Sequence, residues 1–352
     1  MQKTDIASFN ETELTEYIKD SGFPSYRAKQ VFLWLQKGVT DFDEMTNVPK
    51  DLRSFLTDNC YIANVKIIKK LVSSVDETVK YLYQLADNEY IESVLMKYKY
   101  GYTVCISTQV GCKMGCKFCA TGISGFRRNL TPSEMLAQVR KAETDNNIRV
   151  SHVVMMGMGE PLDNYDNSIK FLRLVSAENG MNLSLRHISL STCGLVSGID
   201  KLAEENLPVT LSISLHAPND DIRNRTMPVN GRWNVEQLLT SCRKYVKKTG
   251  RRISFEYALI EGVNDTDGCA RELAARLKGM LCHVNLIPAN PVKENNFKKP
   301  NRKRVEHFCE LMNSLGVNTT VRRTLGSDIN ASCGQLRGKV TNGEVSLNEN
   351  SK

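Results

Sequence analysis

The 352-residue sequence lacks any run of about 18 apolar residues, the length that a helix needs to cross a bilayer. Its first twenty residues are polar and acidic, so they do not form a secretory signal. Pro/Gly/Ser-rich linkers, low-complexity tracts and internal repeats are also missing. These absences predict a cytoplasmic protein with no membrane partner, and they leave the pattern of apolar residues as the guide to domain organisation.

Cysteine is abundant by contrast, with eleven residues. An odd number of cysteines in a long chain without a secretory signal does not suit a disulfide framework, so a reduced compartment is expected. The net charge of +8 permits a nucleic-acid partner but is too small to require one. The composition is that of an ordinary globular protein, and the length predicts one large domain with a smaller one, or two domains.

The pattern of apolar residues changes twice along the chain. Residues 11–58 have helical periodicity, and residues 65–96 alternate as strands do. From residue 100 onwards strands and helices alternate, which predicts a parallel barrel, complete or partial, with a doubly wound open sheet as the alternative. Segment 157–162 lacks the third glycine of the dinucleotide fingerprint, which disfavours that alternative. The predicted strands are 103–107, 151–156, 187–191, 209–215, 253–259, 283–287 and 318–322.

Three cysteines at C-x3-C-x2-C spacing follow the first of these strands: Cys112, Cys116 and Cys119. Structural zinc usually takes four protein ligands, whereas a four-iron cluster held by three cysteines keeps one iron open for a small chelating molecule. A zinc knuckle and three unconnected core cysteines are the alternatives. The spacing resembles the radical S-adenosylmethionine (radical SAM) superfamily. That resemblance implies a [4Fe-4S] cluster, SAM as cofactor, and an α/β fold: a partial (β/α)6 TIM-like barrel with a small helical N-terminal domain.

Further polar segments stand at the carboxyl ends of predicted strands, where barrel enzymes place their active sites. Each segment alone proves little, because a Gly-Glu-Pro turn or a loop histidine needs no function. Their recurrence after the cysteine loop favours one cofactor site. The superfamily resemblance implies that Gly159 and Glu160 bind the methionine part of SAM. The residues implied for the rest of the site are Ser191, Ser214, Leu215, His216 and Asn290.

Two cysteines and a glutamate lie outside the three-cysteine loop. Alone, Cys105 would be a small core residue and Cys333 a loop thiol of no consequence. With the remaining motifs they resemble the RlmN family of dual-specificity rRNA and tRNA adenine-C2 methyltransferases, over nearly the whole chain. The resemblance implies that Cys333 carries a methyl group on sulfur, that Cys105 resolves a covalent enzyme–RNA intermediate, and that Glu92 has an acid/base role. The most specific parts are Cys105 with the three-cysteine loop and the segments 157–162, 214–220 and 331–336.

The implied reaction explains why two further cysteines, a cluster and SAM would be needed together. Adenine C2 is electron-poor and has no lone pair to attack a sulfonium methyl, but a carbon radical can add to it. One SAM methylates Cys333, and a second, cleaved at the cluster, gives a 5′-deoxyadenosyl radical that removes hydrogen from the methyl group. The methylene radical adds to C2. After loss of an electron and the C2 proton, Cys105 attacks the Cys333 sulfur, forms a transient disulfide and frees the methylated RNA.

The resemblance also implies partners and domains. The partners are 23S rRNA at its peptidyl-transferase loop, tRNA at the adenosine 3′ of the anticodon, and a flavodoxin-type one-electron reductant. The domains are a helical RNA-docking domain (1–60), a β connector (61–97), the radical SAM barrel (98–330) and a C-terminal catalytic-Cys loop and tail (331–352). Basic clusters suited to phosphate contacts are Lys97/Lys99, Arg127/Arg128, 243–252, 298–304 and Arg322/Arg323.

Two other functions compete with this interpretation. The sister enzymes that methylate C8 of an adenosine in the same rRNA, and so confer antibiotic resistance, share the cysteines and most motifs. Pro161, Pro288 and segment 216–220 favour C2 as family-type patterns. A non-enzymatic iron–sulfur or zinc RNA-binding protein would explain the three-cysteine loop and the basic clusters, but it would leave Cys105 and Cys333 without a role.

Overall fold

A computed structural model describes residues 3–290 and 296–336. The eleven α-helices in these ranges are α1 Glu11–Asp20, α2 Arg27–Lys37, α3 Lys50–Asn59, α4 Ala120–Ser124, α5 Pro132–Asn146, α6 Tyr165–Val175, α7 Val196–Glu205, α8 Asp220–Thr226, α9 Val235–Thr249, α10 Asp267–Leu277 and α11 Arg302–Ser314. Short 3-10 helices cover Ile6–Ser8, Phe42–Glu44, Leu185–His187 and Pro228–Gly231.

The strands in the same ranges form three sheets. They are β1 Thr4–Asp5, β2 Cys60–Tyr61, β3 Lys66–Val72, β4 Val79–Gln84, β5 Tyr90–Tyr98, β6 Gly101–Cys105, β7 Gln109–Gly111, β8 Phe126–Asn129, β9 Val150–Met155, β10 Ile188–Thr192, β11 Thr210–Ser214, β12 Ile253–Leu259, β13 Cys282–Pro288 and β14 Thr319–Val321.

The main sheet has ten strands in the order β14-β13-β12-β11-β10-β9-β6-β5-β4-β3. Strand β6 and strands β9 to β14 run parallel, and each pairs with the one before it in this series. Every helical crossover therefore moves the chain in the same direction across the sheet. A doubly wound sheet would reverse its strand order at a switch point, and no reversal occurs among these strands. The fold is therefore the predicted partial barrel, with β14 at one edge of the sheet and β3 at the other.

The antiparallel strands before the barrel belong to the same sheet. Strand β5 pairs with β6, and β4 and β3 follow outward, so the segment predicted as a connector extends the barrel wall. A two-stranded ribbon of β7 and β8, which the sequence pattern did not predict, flanks the three-cysteine loop: β7 precedes the loop in the chain, and β8 follows it after α4. Residues 337–352 of the predicted C-terminal tail lie outside the described residues.

Two apolar cores match the change in periodicity. Helices α1 to α3 enclose the smaller core, which includes Phe32 and Leu52 and also receives Leu174 from α6. The larger core fills the space between the barrel strands and the surrounding helices. The predicted capping box is present at α5, where Thr131 and Glu134 exchange side-chain to backbone hydrogen bonds and Pro132 takes the first helical position. No helix among the described residues is both long and apolar enough to cross a bilayer.

Candidate active site

The three-cysteine loop connects β7 to α4. Cys119 is the N-cap residue of α4, and its N–H donates to the Cys116 carbonyl at 3.1 Å. The Cys112 N–H donates to the Gly125 carbonyl at 2.7 Å. Gly111 has a positive φ of 75°, and a Cβ there would overlap the carbonyl oxygen of Gly125. The sequence therefore needs glycine at this position to bring the loop back onto the β7–β8 ribbon.

All three thiols line one cavity, which has an empty volume of about 1110 Å³ and opens to solvent. Burial raises the pKa of Cys112 to about 12, and the nearby Glu160 and Cys119 make smaller contributions in the same direction. Burial raises the pKa of Cys116 as well. Bound iron would offset this cost, because a metal holds its cysteine ligands as thiolates.

The spacing of the thiols suits a cluster better than a single ion. Within 3–290 and 296–336, no three His, Cys, Asp or Glu side chains are close enough together to hold one metal ion. The thiolate ligands of a four-iron cluster bind different irons, so they stand farther apart than the ligands of zinc. Three cysteines on one cavity wall would hold such a cluster and would leave one of its irons without a protein ligand.

Gly159 and Glu160 stand on the cavity wall beyond β9. The Glu160 carboxylate is buried and accepts hydrogen bonds from the N–H groups of Leu162 at 3.0 Å and Cys193 at 2.7 Å. Burial raises the pKa of Glu160, and these backbone donors act in the opposite direction by favouring the charged form. Gln109 Oε1 accepts from the Glu160 N–H at 2.9 Å, which fixes the turn. The chemistry of this corner suits the ammonium group of an amino acid.

The other predicted cofactor residues lie along the same cavity, with one exception. Ser191, Ser214, His216 and Asn290 line it, whereas the Leu215 side chain is fully buried in the core. Leu215 therefore offers the cavity only its backbone. Burial lowers the pKa of His216 to about 3, so the ring is neutral. His216 Nδ1 accepts from the Ala258 N–H at 2.8 Å, which leaves Nε2–H as a donor.

Cys333 reaches this cavity from a loop at the far end of the chain. Three hydrogen bonds attach the loop to the cofactor region: Asn290 Nδ2 donates to the Cys333 carbonyl at 3.1 Å, the Ala120 N–H to the Gly334 carbonyl at 2.8 Å, and Thr121 Oγ1 to the Leu336 carbonyl at 2.6 Å. Since all three acceptors are main-chain carbonyls, the Cys333 sulfur is not needed to hold its own loop.

Cys105 ends strand β6 and is buried. Burial is the main cause that raises its pKa to about 12, and the neighbouring Cys333 adds to the effect. The two thiols are thus close to each other, although they are 228 positions apart in the sequence. All eleven cysteines are free of disulfide bonds. The two cysteines that the resemblance implies to react with each other are therefore close enough for their charges to interact.

Glu92 is placed differently. It lies on β5, is 2% exposed, and pairs with Lys80 at 3.2 Å between Oε1 and Nζ. It is not part of the lining of the cofactor cavity. Its connection to the site runs through the neighbouring strand, since Val94, two residues away on β5, pairs with Cys105.

Arg322, one of the basic residues predicted to suit phosphate contacts, also lies close to an acidic side chain inside the site. Its side chain lines the cavity, with Nη1 3.6 Å from a Glu256 carboxylate oxygen, and the nearby Cys333 raises its pKa. Several other predicted basic residues are paired with carboxylates, which leaves them less suited to phosphate: Lys97, Arg128, Arg243 and Arg304. No motif distinguished Arg322 in the sequence, because its partners come from β12 and the Cys333 loop.

Arg223 is a second residue that sequence reasoning missed. It is fully buried, and it donates to the Leu215 carbonyl at 3.1 Å and the Cys193 carbonyl at 2.6 Å. It thereby ties together the carboxyl ends of β10 and β11, which carry the predicted cofactor residues.

Replacing Gly159 with alanine should weaken SAM binding by about tenfold or more. The residue has a φ of 106°, and a Cβ would lie 2.7 Å from the Gln109 main-chain nitrogen, so the turn that presents Glu160 must shift. Calorimetric titration of the reconstituted protein with SAM measures the effect. Gly262→Ala is the matched control, since Gly262 also has a positive φ of 67° but has open space around it. Equal affinity in both variants would show that this turn does not bind the cofactor.

Comparisons with known proteins agree with this geometry. A family model described as the Radical SAM superfamily matches residues 106–274, and one described as the Ribosomal RNA large subunit methyltransferase N-terminal domain matches residues 4–62. A radical SAM methyltransferase from Sphaerobacter thermophilus, known from a crystal structure, is 44% identical in sequence to this chain. The two structures match with a TM-score of 0.91, and the match covers 96% of this chain and 100% of that one. Fold and site thus define a radical SAM methyltransferase, an enzyme whose cofactors are a [4Fe-4S] cluster and SAM.

Similarity to curated proteins is more specific. A probable dual-specificity RNA methyltransferase RlmN from Alkaliphilus oremlandii is 53% identical over 339 residues, covering 96% of this chain and 99% of the relative. Its counterpart from Clostridium tetani is 52% identical over 325 residues, covering 92% and 93%. The chain belongs to the RlmN family.

Proposed function

We propose that this enzyme methylates C2 of an adenosine in the peptidyl-transferase loop of 23S rRNA and of the adenosine 3′ of the anticodon in tRNA. The observation that carries the proposal is that Cys333 lines the cavity of the three cluster cysteines, and that Cys105, outside this lining, is close enough to Cys333 for their charges to interact. A methyltransferase that moved the methyl group directly from SAM would need neither thiol. The names of the curated relatives, which describe dual-specificity RNA methyltransferases, support an RNA substrate.

Cys333, Glu92 and Cys105 have distinct roles in the proposed reaction. Cys112, Cys116 and Cys119 would hold the cluster, which would supply the electron that cleaves the sulfonium of SAM to give a carbon radical. Cys333 carries the methyl group as a thioether and, after loss of one hydrogen atom, bonds through its methylene carbon to adenine C2. The radical adduct would return one electron to the oxidised cluster, which had given one electron to SAM. The Glu92 carboxylate then takes the C2 proton, and the electron pair of the C–H bond restores the aromatic ring.

Cys105 then releases the product. Its thiolate attacks the Cys333 sulfur, so an S–S bond forms and the S–CH2 bond breaks. The electron pair of the broken bond passes to the carbon, which takes up a proton and becomes the methyl group. An external reductant must return the disulfide to two thiols before the next turnover. The closeness of Cys105 to Cys333 supports this order of events.

RNA docking is proposed for the N-terminal region, residues 1–60, ahead of the β connector. Tyr26 is 60% exposed, and the Arg27 guanidinium lies 4.7 Å from the centre of its ring. A cation and an aromatic face side by side suit contact with a phosphate and an unpaired base. A target adenosine must leave its stack to reach the cavity, so a loop or a flipped base is expected. The nature of the RNA substrates supports a cytoplasmic location.

The function is tested by anaerobic assay of the reconstituted enzyme with SAM, a flavodoxin-type reductant and naked rRNA or tRNA. Mass analysis of the digested RNA should show 2-methyladenosine. An 8-methyladenosine product would assign the enzyme to the C8-directed type instead. Zinc in place of iron, with no reductant-dependent cleavage of SAM, would leave only an RNA-binding role.

A further inference from the structure

Lys80 is a buried cation with two partners near the reaction site. It lies on β4, is 5% exposed, and its Nζ stands 3.2 Å from Glu92 Oε1 and 3.1 Å from the Asn330 carbonyl oxygen. A buried ammonium group is costly unless it is paired and hydrogen-bonded, so both contacts matter to its placement. One partner is the carboxylate proposed to take the C2 proton. The other lies three residues before Cys333.

The strand register puts these groups on one face of the sheet. Lys80 is opposite Val94 and Glu92 is opposite Leu82 across the β4–β5 pair, while Val94 is opposite Cys105 across the β5–β6 pair. Paired residues share a face, and so do alternate residues on one strand. Lys80, Glu92 and Cys105 therefore project to the same side, which is the side of the Cys333 loop.

The hairpin of β3 and β4 holds that loop at further points. Asp328 Oδ1 accepts from Ser73 Oγ at 2.7 Å, and its Oδ2 accepts from the Ser74 N–H at 3.0 Å. The Gly326 N–H donates to Asp76 Oδ2 at 2.8 Å. Lys80 is the member of this set that also contacts Glu92, so it joins the loop to the carboxylate.

We propose that Lys80 is a positioning residue for Glu92, with the Asn330 carbonyl setting where its ammonium group stands relative to Cys333. The inference rests on the proposed function. Proton transfer needs the base within hydrogen-bond reach of the C2 proton, and the adduct on Cys333 places that proton. Because the Lys80 ammonium group contacts both the Cys333 loop and the Glu92 carboxylate, it holds this carboxylate at a fixed position relative to the carbon that the carboxylate must deprotonate.

The test uses the reconstituted holoenzyme with Lys80→Met, which keeps the length of the side chain but removes its charge and donors. Product formation should fall by about 10²-fold or more, the contribution typical of a general base, while the covalent protein–RNA adduct accumulates. S-methylation of Cys333, followed by mass analysis, should be unchanged, since it precedes the Glu92 step. Lys80→Arg, which retains charge and donors, should restore turnover to within about tenfold of the original chain.

Two comparisons separate positioning from a general loss of structure. Lys70→Met is the matched control, because it removes another ion pair of the same hairpin, 2.6 Å from Asp145, away from the Cys333 loop. It should turn over normally. In a Glu92→Gln background, which removes the carboxylate that Lys80 is proposed to position, adding Lys80→Met should change adduct resolution no further.

The proposal fails if Lys80→Met turns over within threefold of the original chain, or if Lys80→Arg is as slow as Lys80→Met. It fails as well if the losses of turnover caused by Lys80→Met and Glu92→Gln are additive in the double variant. It also fails if Cys333 loses its S-methylation in Lys80→Met. These outcomes differ from failure of the proposed function, in which the unaltered chain itself would form no 2-methyladenosine.

Discussion

Replacing Cys333 with alanine is expected to abolish methylation of RNA while leaving reductive cleavage of SAM intact. The variant has no sulfur to carry the methylene carbon, so no bond to adenine C2 can form. Its loop should keep its place, because the hydrogen bonds from Asn290, Ala120 and Thr121 are made to main-chain carbonyls that alanine retains. Formation of 5′-deoxyadenosine and of methyladenosine, measured in the same reaction, checks both parts of the prediction.

Cys282→Ala provides the control for loss of a thiol. Cys282 is half-buried at the start of β13 and is not part of the lining of the cofactor cavity. This variant should methylate RNA as the original chain does. Methyladenosine formed by Cys333→Ala above the background without enzyme would mean that the methyl group does not travel through this sulfur.

Replacing Cys105 with alanine should stop the reaction one step later and leave the protein covalently bound to RNA. The adduct can form on Cys333, but no thiolate is present to attack its sulfur and break the S–CH2 bond. Cys105 contributes little else, since it is a small side chain in the wall between β5 and β9. A protein band of lower mobility that disappears on treatment with ribonuclease measures the trapped species.

The double variant Cys105→Ala, Cys333→Ala is the control for this trap. It should give no adduct, because the residue that bonds to the base is gone. Multiple turnover by Cys105→Ala, or an adduct that persists in the double variant, would contradict the assignment of the two thiols.

Local signals were enough to predict much of the barrel. Strand β12 was predicted with the observed bounds, and the other parallel strands differ by a few residues at their ends. The capping box at Thr131 was readable because its three members lie within four positions. The three-cysteine loop, likewise, is a contiguous motif whose spacing is fixed by the cluster that it binds.

Features formed by distant residues were beyond local reasoning. Arg322 has the same type and sequence neighbourhood as a surface arginine, and only the approach of Glu256 and Cys333 distinguishes it. Strands β3 to β5 alternate in sequence as any exposed ribbon does, and nothing local shows that β5 pairs with the first barrel strand. Lys80 is unremarkable in sequence for the same reason, since its partners are 12 and 250 positions away.

The hydrogen bonds between the β3–β4 hairpin and the Cys333 loop span 250 to 255 positions in the chain. During synthesis, the hairpin therefore leaves the ribosome long before the segment that it holds. A nascent chain ending at residue 320 contains the three cluster cysteines and all of the predicted SAM-binding residues, but not Cys333, whose sulfur is proposed to carry the methyl group. Under the proposed function, methylation begins only when the last segment of the barrel has emerged and returned to the hairpin, and chains that end before Cys333 cannot modify RNA.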